Sequence, residues 1–160
     1  DELWAQIPGE REGNVFVAEW YDLPRLGADT EMSEPYWSFI AEVKNAVNKV
    51  IEAKRAEGVV GGSLDAAITL CCDGELADQL NALGDELRFV LIASAAKVGQ
   101  GEGEPTEVEG LSVIVEKATG EKCGRCWHYR EDVGAHAGHE EICGRCVENV
   151  SGQGEVRQFA

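Results

Sequence analysis

The sequence predicts an α+β fold that ends in a four-cysteine, zinc-ribbon-like module. Apolar residues recur at three- and four-residue spacing after Ser33, which indicates an amphipathic helix. Short apolar runs begin at Leu64 and Leu111, which indicates strands. The tetrapeptide Cys-Gly-Arg-Cys then occurs twice near the C-terminal end. We therefore expect three parts: a helical segment over residues 1–57, a small α+β unit over 58–120 and a zinc-binding tail over 121–160.

The composition favours a globular protein whose thiols stay reduced. The 160 residues carry a formal net charge of −16, with 9 basic and 23 acidic residues up to Gly120 against 5 and 7 after it. This acidic body argues against nonspecific polyanion binding, because phosphate contacts need clustered Lys and Arg. Four of the six cysteines form two close pairs, and Cys71 and Cys72 lie in an apolar run, as buried hydrophobes do. Since no signal peptide or long apolar run is visible, we expect a cytoplasmic protein without a membrane partner.

The first long helix is predicted between Ser33 and Gly58. Ser33 can cap free backbone N–H groups, Pro35 is tolerated in a first turn, and Gly58 ends the pattern. Charged residues occupy the opposite face, which is typical of a helix with one side in solvent. The apolar stripe contains Trp37, Ile40, Val43, Val47, Val50 and Ile51.

A strand, a helix and two further strands are predicted next. Apolar residues alternate over residues 64–72, and Asp73 and Gly74 supply a turn and a helix cap. The helix gives way to a strand within RFVLIASAAKV, and LSVIVEKA is predicted to be another strand. Between them, GQGEGEPTEVEG is predicted to be a mobile loop, too polar to pack, and little regular structure is expected after Gly120. The predicted helix carries Leu76, Leu80, Leu83 and Leu87.

The two Cys-Gly-Arg-Cys copies have the spacing of a structural zinc site. Two residues separate the cysteines of each copy, so a tight turn can aim both sulfurs at one ion, and sixteen residues separate the copies. Four thiolates close the tetrahedron and leave no position for water or substrate, so the zinc should stabilise structure rather than catalyse hydrolysis. One Zn²⁺ is therefore predicted, with ligands Cys123, Cys126, Cys143 and Cys146.

Two other uses of these cysteines fit the sequence less well. Twelve residues separate Cys126 from His139 and three separate His139 from Cys143, so a site of three thiolates and one imidazole is open. That site leaves Cys146 unused. A redox role needs one Cys-x-x-Cys beside a βαβ unit, which two pairs flanked by Gly, Glu and His do not offer.

Basic and aromatic residues surround the predicted ligands. Aromatic rings can stack on bases while cations meet phosphates, so the cluster indicates an RNA-facing patch. The alternative for Trp127 is that its ring covers the zinc site or packs on the α+β unit. The patch contains Lys122, Arg125, Trp127, His128, Tyr129, Arg130 and Arg145.

The stretches EKCGRCWHYREDVG and HEEICGRCVENVSGQGEVRQFA closely resemble the C-terminal end of bacterial isoleucyl-tRNA synthetases. The resemblance extends upstream through DELWAQIPGEREGNVFVAEWY and VKNAVNKVIEAKRAEGVVGGSLDAAITL, so it covers nearly the whole chain. It implies that residues 1–57 end the helical anticodon-binding domain of a class I synthetase. It also implies that the four cysteines bind zinc near the anticodon loop of isoleucine tRNA. Contacts with tRNA are then expected from Lys122, Arg125, Trp127, His128, Arg130 and Arg145.

The parent enzyme of this family would activate isoleucine with ATP and transfer it to tRNA. Its nucleotide-binding signatures, HIGH and KMSKS, are absent here, and no nucleophile–base pair replaces them. We therefore expect a region without catalytic residues that acts with the remainder of a parent synthetase. Two alternatives stay open. A DNA-glycosylase-type zinc finger accounts for residues 121–150 only, and a zinc-scaffolded protein–protein adaptor suits the acidic surface.

Overall fold

The computed structural model describes residues 2–10, 13–23 and 32–159. The chain forms two compact units, residues 1–34 and residues 35–160. Helices and small sheets are both present, so the predicted α+β class is confirmed. Within the described residues, every helix is too short or too polar to cross a membrane.

The first unit exposes most of its large apolar side chains. Helix α1 (Glu2–Gln6) and a 3-10 turn (Val15–Val17) form its regular structure, and neither buries a residue. Asn14 precedes the turn, and its side-chain oxygen accepts a hydrogen bond from the Phe16 N–H at 2.8 Å. The exposed apolar side chains of this unit include Leu3, Phe16, Val17, Trp20, Tyr21 and Leu23.

Helix α2 (Glu34–Ala56) follows the predicted periodicity. Trp37 is only half-buried, and Ala46 joins the buried stripe. The Tyr36 hydroxyl donates to the Gln79 carbonyl at 3.0 Å, which ties the start of the helix to the α+β part. The buried residues of α2 are Ile40, Val43, Ala46, Val47, Val50 and Ile51.

The end of α2 is set by Gly58. This residue has φ 78°, in the left-handed region that glycine adopts without steric cost. The Gly58 N–H donates to the Arg55 carbonyl at 3.0 Å, and the Val59 N–H donates to the Lys54 carbonyl at 2.9 Å. These two bonds form a Schellman cap, so the predicted helix stop is confirmed.

A four-stranded mixed sheet has the order β2-β1-β4-β3. Its central strand β1 pairs in parallel with β2, where Ile68 is opposite Ala96, and antiparallel with β4, where Ile68 is opposite Val115. The predicted alternation is confirmed, since Ala66, Ile68 and Leu70 are buried. The strands are β1 (Ala66–Cys71), β2 (Ala95–Gly99), β3 (Glu104–Pro105) and β4 (Ser112–Lys117).

Two short helices carry the chain from β1 to β2. They are α3 (Gly74–Asn81) and α4 (Leu87–Val90), with a 3-10 turn over residues 84–86 between them. The single helix predicted here is therefore broken. Its leucines still bury one face, and those fully enclosed are Leu80, Leu83 and Leu87.

The acidic loop after β2 packs, so the prediction that it is too polar to do so is wrong. Strand β3 pairs with β4, and Lys54 bridges to Glu104 at 3.1 Å. Lys49 pairs with Glu107 in the same segment. At Gly103 the fit is tight, because a Cβ atom would lie 2.7 Å from the Val113 backbone. Lysines of α2 thus balance the glutamates, and glycine admits the close strand contact.

After β4 the chain forms a two-stranded sheet and one helix. Strand β5 (Glu121–Lys122) pairs antiparallel with β6 (Tyr129–Arg130). Helix α5 (Gly144–Ser151) begins directly after Cys143. The prediction of little regular structure missed this helix, whose eight residues lie within the predicted zinc-binding tail.

Candidate metal centre and nucleic-acid interface

The two Cys-Gly-Arg-Cys copies meet in space. We call residues 123–126 the first knuckle and residues 143–146 the second knuckle. The first follows β5, and the Trp127 N–H closes it by donating to the Cys123 carbonyl at 2.9 Å. The second spans the start of α5, where the Val147 N–H donates to the Cys143 carbonyl at 3.0 Å.

The four sulfurs form one compact cluster. All lie within 4.8 Å of one another, with 3.7 Å between the Cys123 and Cys146 sulfurs and 3.8 Å between those of Cys126 and Cys143. Three of the cysteines are fully enclosed, and Cys126 is half-buried. Four sulfurs at this spacing fit the tetrahedral thiolate shell that Zn²⁺ takes in structural sites.

The pKa values of Cys123 and Cys143 are shifted in opposite directions. Burial opposes ionisation of Cys123, yet backbone N–H groups of Cys126, Cys143 and Arg125 lower its pKa to about 6. One of these donors, the Cys143 N–H, lies 3.3 Å from the Cys123 sulfur. Burial, together with the charge of Cys126, raises the pKa of Cys143 to about 12. A metal ion would have to displace the proton that Cys143 holds at neutral pH.

The histidine considered as an alternative ligand, His139, has another partner, and so does His136. His139 Nε2 lies 3.0 Å from the Ser151 hydroxyl, and His136 Nε2 lies 3.5 Å from an Asp132 carboxylate oxygen. Among the described residues, the candidate metal cluster contains sulfur ligands alone. The geometry therefore favours four thiolates over three thiolates and one imidazole.

Three of the predicted RNA-facing residues are exposed at the first knuckle. Trp127 is 59% exposed and has φ 65°, a left-handed conformation that L-residues rarely adopt. The Lys122 ammonium lies 5.6 Å from the centre of its indole ring. Arg125 is also exposed. One cation and one aromatic ring therefore stand together beside the sulfur cluster.

Two other predicted residues lie at the seam between the knuckles and α4, where His128 is buried and Arg145 is partly buried. His128 is 8% exposed and meets Phe89 edge to face, with 5.9 Å between the ring centres. The Arg145 guanidinium lies 4.9 Å from the centre of the same ring and pairs with Glu155 at 2.9 Å. Burial, helped by the charges of Arg88 and Arg145, lowers the pKa of His128. A neutral imidazole in this position suits packing better than phosphate binding.

Arg130, the last of the six predicted tRNA contacts, is half-exposed and ends strand β6 of the small sheet. Its Nε lies 3.8 Å from an Asp132 carboxylate oxygen. The neighbouring Tyr129 N–H donates to the Ser94 hydroxyl at 2.7 Å, which anchors β6 next to the start of β2. Arg130 therefore lies at the border between the knuckles and the larger sheet.

Comparison with known proteins gives matches to the zinc motif and to the whole chain. Residues 120–149 match the family described as a zinc finger found in FPG and IleRS. The whole chain is 60% identical over 163 residues to an isoleucine–tRNA ligase of Saccharophagus degradans. It is 52% identical over 165 residues to that of Teredinibacter turnerae and 53% identical over 167 residues to that of Klebsiella pneumoniae. All of the chain is covered in each case.

The predicted resemblance to isoleucyl-tRNA synthetases is thus confirmed. The chain spans 18% of the length of these isoleucine–tRNA ligases and corresponds to their C-terminal region. The zinc finger family and the four-sulfur cluster together also confirm the predicted structural zinc. A Zn²⁺ bound by the four cysteines would cross-link the two knuckles.

Sequence reasoning missed two carboxylates, Asp132 and Glu86, that accept hydrogen bonds from backbone N–H groups far from them in the sequence. An Asp132 oxygen accepts from the Gly144 N–H at 2.8 Å, which fixes the start of α5. The Glu86 carboxylate accepts from the N–H groups of Gln158 and Phe159, each at 2.7 Å. The three bonds join positions 12 to 73 residues apart, so local patterns carry no signal for them.

The segment over residues 152–159, which we call the C-terminal strap, was missed as well. One Glu155 carboxylate oxygen pairs with both Arg145 and Arg157 at 2.9 Å. The Arg157 guanidinium lies 4.0 Å from the centre of the Phe89 ring, a cation–π distance. The strap therefore connects the second knuckle to α4.

Proposed function

We propose that this chain is the C-terminal tRNA-binding region of an isoleucine–tRNA ligase, which attaches isoleucine to its tRNA with ATP in the cytoplasm. The region itself is non-catalytic and recognises tRNA near the anticodon. The observation that carries the proposal is the exposed indole of Trp127 beside Lys122, at a knuckle whose cysteines belong to the four-sulfur cluster. It is supported by the match of the whole chain to isoleucine–tRNA ligases.

In this proposal the ligands of one Zn²⁺ are Cys123, Cys126, Cys143 and Cys146. The ion closes its own coordination shell, so it binds no substrate. Its role is to hold the first knuckle in the turn that presents Trp127. The recognition surface therefore depends on a metal that never touches RNA.

The exposed residues supply the direct RNA contacts. The Trp127 ring stacks on an unpaired base, while Lys122 and Arg125 meet phosphates. Arg130 contacts the backbone at the border of this surface. His128 and Arg145 support RNA binding indirectly. Their side chains pack against Phe89 and so hold the two knuckles in place.

The first unit supports a partner surface for the remainder of the parent synthetase. Phe16 is 88% exposed and Trp20 is 98% exposed, an exposure of aromatic surface that marks an interface. Residues 1–57 would thus complete a helical anticodon-binding domain, with 58–120 as the junction and 121–160 as the tail. In a full-length ligase, Trp20→Ala should lower the melting temperature; an unchanged value would contradict this docking.

The test of RNA recognition is a titration of the zinc-loaded chain with isoleucine tRNA and with an unrelated tRNA. Loss of one stacked base costs about 1–3 kcal/mol, so Trp127→Ala should weaken binding by roughly 5- to 150-fold. Trp20→Ala is the matched control, since it removes an exposed indole from the first unit. Binding should also weaken as salt rises, because phosphate contacts release counterions.

Three outcomes would contradict the proposal. Equal affinity for both tRNAs would remove specificity, and an unchanged affinity for Trp127→Ala would remove the stacking contact. Preference for duplex DNA would favour the DNA-glycosylase-type finger instead. That second candidate remains in the test because the matching zinc finger family is shared by FPG and IleRS.

A further inference from the structure

The C-terminal strap is bonded at both ends. Near its start, the Glu155 N–H donates to the Asn149 side-chain oxygen of α5 at 3.1 Å. Near its end, the N–H groups of Gln158 and Phe159 donate to the carboxylate of Glu86, which directly precedes α4. The strap therefore runs from the helix of the second knuckle to the start of α4.

One carboxylate of the strap joins two arginines over an aromatic ring. The same Glu155 oxygen lies 2.9 Å from a nitrogen of Arg145, in the second knuckle, and 2.9 Å from a nitrogen of Arg157, in the strap. Both guanidinium groups lie over the Phe89 ring of α4, with 4.9 Å to its centre for Arg145 and 4.0 Å for Arg157. Two cations repel each other, and the carboxylate between them offsets that repulsion. The strap, the second knuckle and α4 therefore meet at one ring.

The same ring also supports the segment that carries the exposed indole. His128 meets Phe89 edge to face, and Trp127 is the residue directly before His128. The His128 carbonyl accepts a hydrogen bond from the Cys123 N–H at 2.9 Å. The backbone next to the indole is thus bound to the first knuckle on one side and to Phe89 on the other. A displacement of Phe89 would therefore change where the indole lies relative to α4.

The sulfur cluster and the strap join different parts of the molecule. The four sulfurs join the two knuckles to each other, whereas the contacts at Phe89 join the knuckles to α4. A binding surface that is fixed before its ligand arrives loses less conformational freedom on binding, and so binds more tightly. Loosening the contacts at Phe89 should therefore reduce affinity even when the sulfur cluster stays intact.

We propose that Glu155 and Arg157 are positioning residues for RNA recognition. They hold the knuckles on the Phe89 ring, so that Trp127 is fixed in one place before RNA binds. In this role neither residue has to touch RNA or the metal. The role rests on the proposed RNA-binding function, and it adds the C-terminal strap to the residues on which recognition depends.

The experiment titrates the zinc-loaded full chain with isoleucine tRNA at several salt concentrations. Glu155→Gln and Arg157→Gln should each weaken binding by about 2- to 10-fold, the cost of ordering one long side chain on binding. The two substitutions change the net charge in opposite directions, so an effect of charge alone would strengthen binding in Glu155→Gln and weaken it in Arg157→Gln. Positioning predicts weaker binding in both. Glu75→Gln, at an exposed site on α3, is the matched control for charge and should not weaken binding.

The salt dependence separates positioning from a direct contact with phosphate. The slope of log affinity against log salt should keep its wild-type value in Arg157→Gln, because no phosphate contact is lost. Arg125→Gln is the comparison, since Arg125 is proposed to meet a phosphate and its loss should reduce the slope by about one. Without RNA, the heteronuclear NOE of the Trp127 indole N–H should fall in both strap variants, which records greater motion of the indole. Native mass spectrometry should still show one zinc in each.

Any of four results would overturn the positioning role. Unchanged affinity in both strap variants, with weaker binding in Trp127→Ala, would remove the role and keep the RNA-binding function. Tighter binding in Glu155→Gln, together with a smaller slope in Arg157→Gln, would show that Arg157 contacts phosphate directly. Loss of zinc from either variant would show that the strap supports the sulfur cluster itself. An unchanged affinity in Trp127→Ala would refute the RNA-binding function, and the positioning role would fall with it.

Discussion

The α+β part, residues 34–118 from α2 through β4, and the described residues of the predicted zinc-binding tail (121–159) are stabilised in different ways. In the α+β part, side chains such as Ile51, Leu70 and Val113 are fully enclosed, so the fold rests on apolar surface removed from water. In the tail, the buried cluster consists of cysteines, with Val133 and Ile142 packed against it. About forty residues cannot bury enough apolar surface alone, so the metal must order them.

This difference determines which buried positions require one particular type of residue. A hydrophobic core tolerates other apolar residues of similar volume, because the driving force scales with area. A thiolate shell tolerates no substitute that cannot bind the metal. The two parts should therefore respond separately to substitutions at equally buried positions.

The largest expected effect comes from Cys143→Ser. It removes one of the four proposed ligands, and a structural zinc supplies on the order of 10 kcal/mol or more of folding free energy. The dispersed NMR amide signals of residues 123–151 should collapse, while the helical circular dichroism of the α+β part stays. Native mass spectrometry should show one zinc in the wild type and none in the variant. Cys72→Ser, also buried but outside the cluster, should keep its zinc, and dispersion surviving in Cys143→Ser would refute metal ordering.

A smaller effect is expected from Leu70→Ala at the centre of the sheet. Truncating a fully buried leucine costs about 2–5 kcal/mol, which chemical denaturation should detect as a lower free energy of unfolding. The zinc stoichiometry should stay at one per chain at low denaturant. Val150→Ala, at an exposed site on α5, should change stability by under about 0.5 kcal/mol. Loss of zinc from folded Leu70→Ala would show that the two parts are not separable.

The smallest effect tests the seam where His128 meets Phe89. Burial and nearby arginines lower the pKa of His128, so protonation favours the unfolded state. The seam is fully stable above the unfolded pKa of about 6.5, and stability falls as pH drops below it, by up to about 1.4 kcal/mol per pH unit. The protection factor of the Tyr129 amide, which compares its exchange rate with the intrinsic rate at the same pH, should therefore fall between pH 7 and 5.5. His128→Asn should flatten this response at constant zinc content, and an unchanged slope would contradict the cause.

The sequence predicted those structural features that depend on interactions between residues close together in the chain. The stripe of α2, the cap at Gly58, the alternation of β1 and the cysteine spacing were all readable, because each depends on residues a few positions apart. The mixed order of the sheet and the bonds of Glu86 and Asp132 were not, since their partners lie far along the chain. The acidic loop was misjudged for the same reason: Lys49 and Lys54 neutralise it from α2.

The left-handed backbone of Trp127 has a consequence for how the tail can be observed. For a non-glycine residue this conformation costs about 1–2 kcal/mol of free energy, so the unfolded chain disfavours it. The bond from its N–H to the Cys123 carbonyl holds it there only while the first knuckle is closed. Once Trp4, Trp20 and Trp37 are replaced by phenylalanine, the fluorescence of Trp127 should therefore report whether the first knuckle is closed, without an added label.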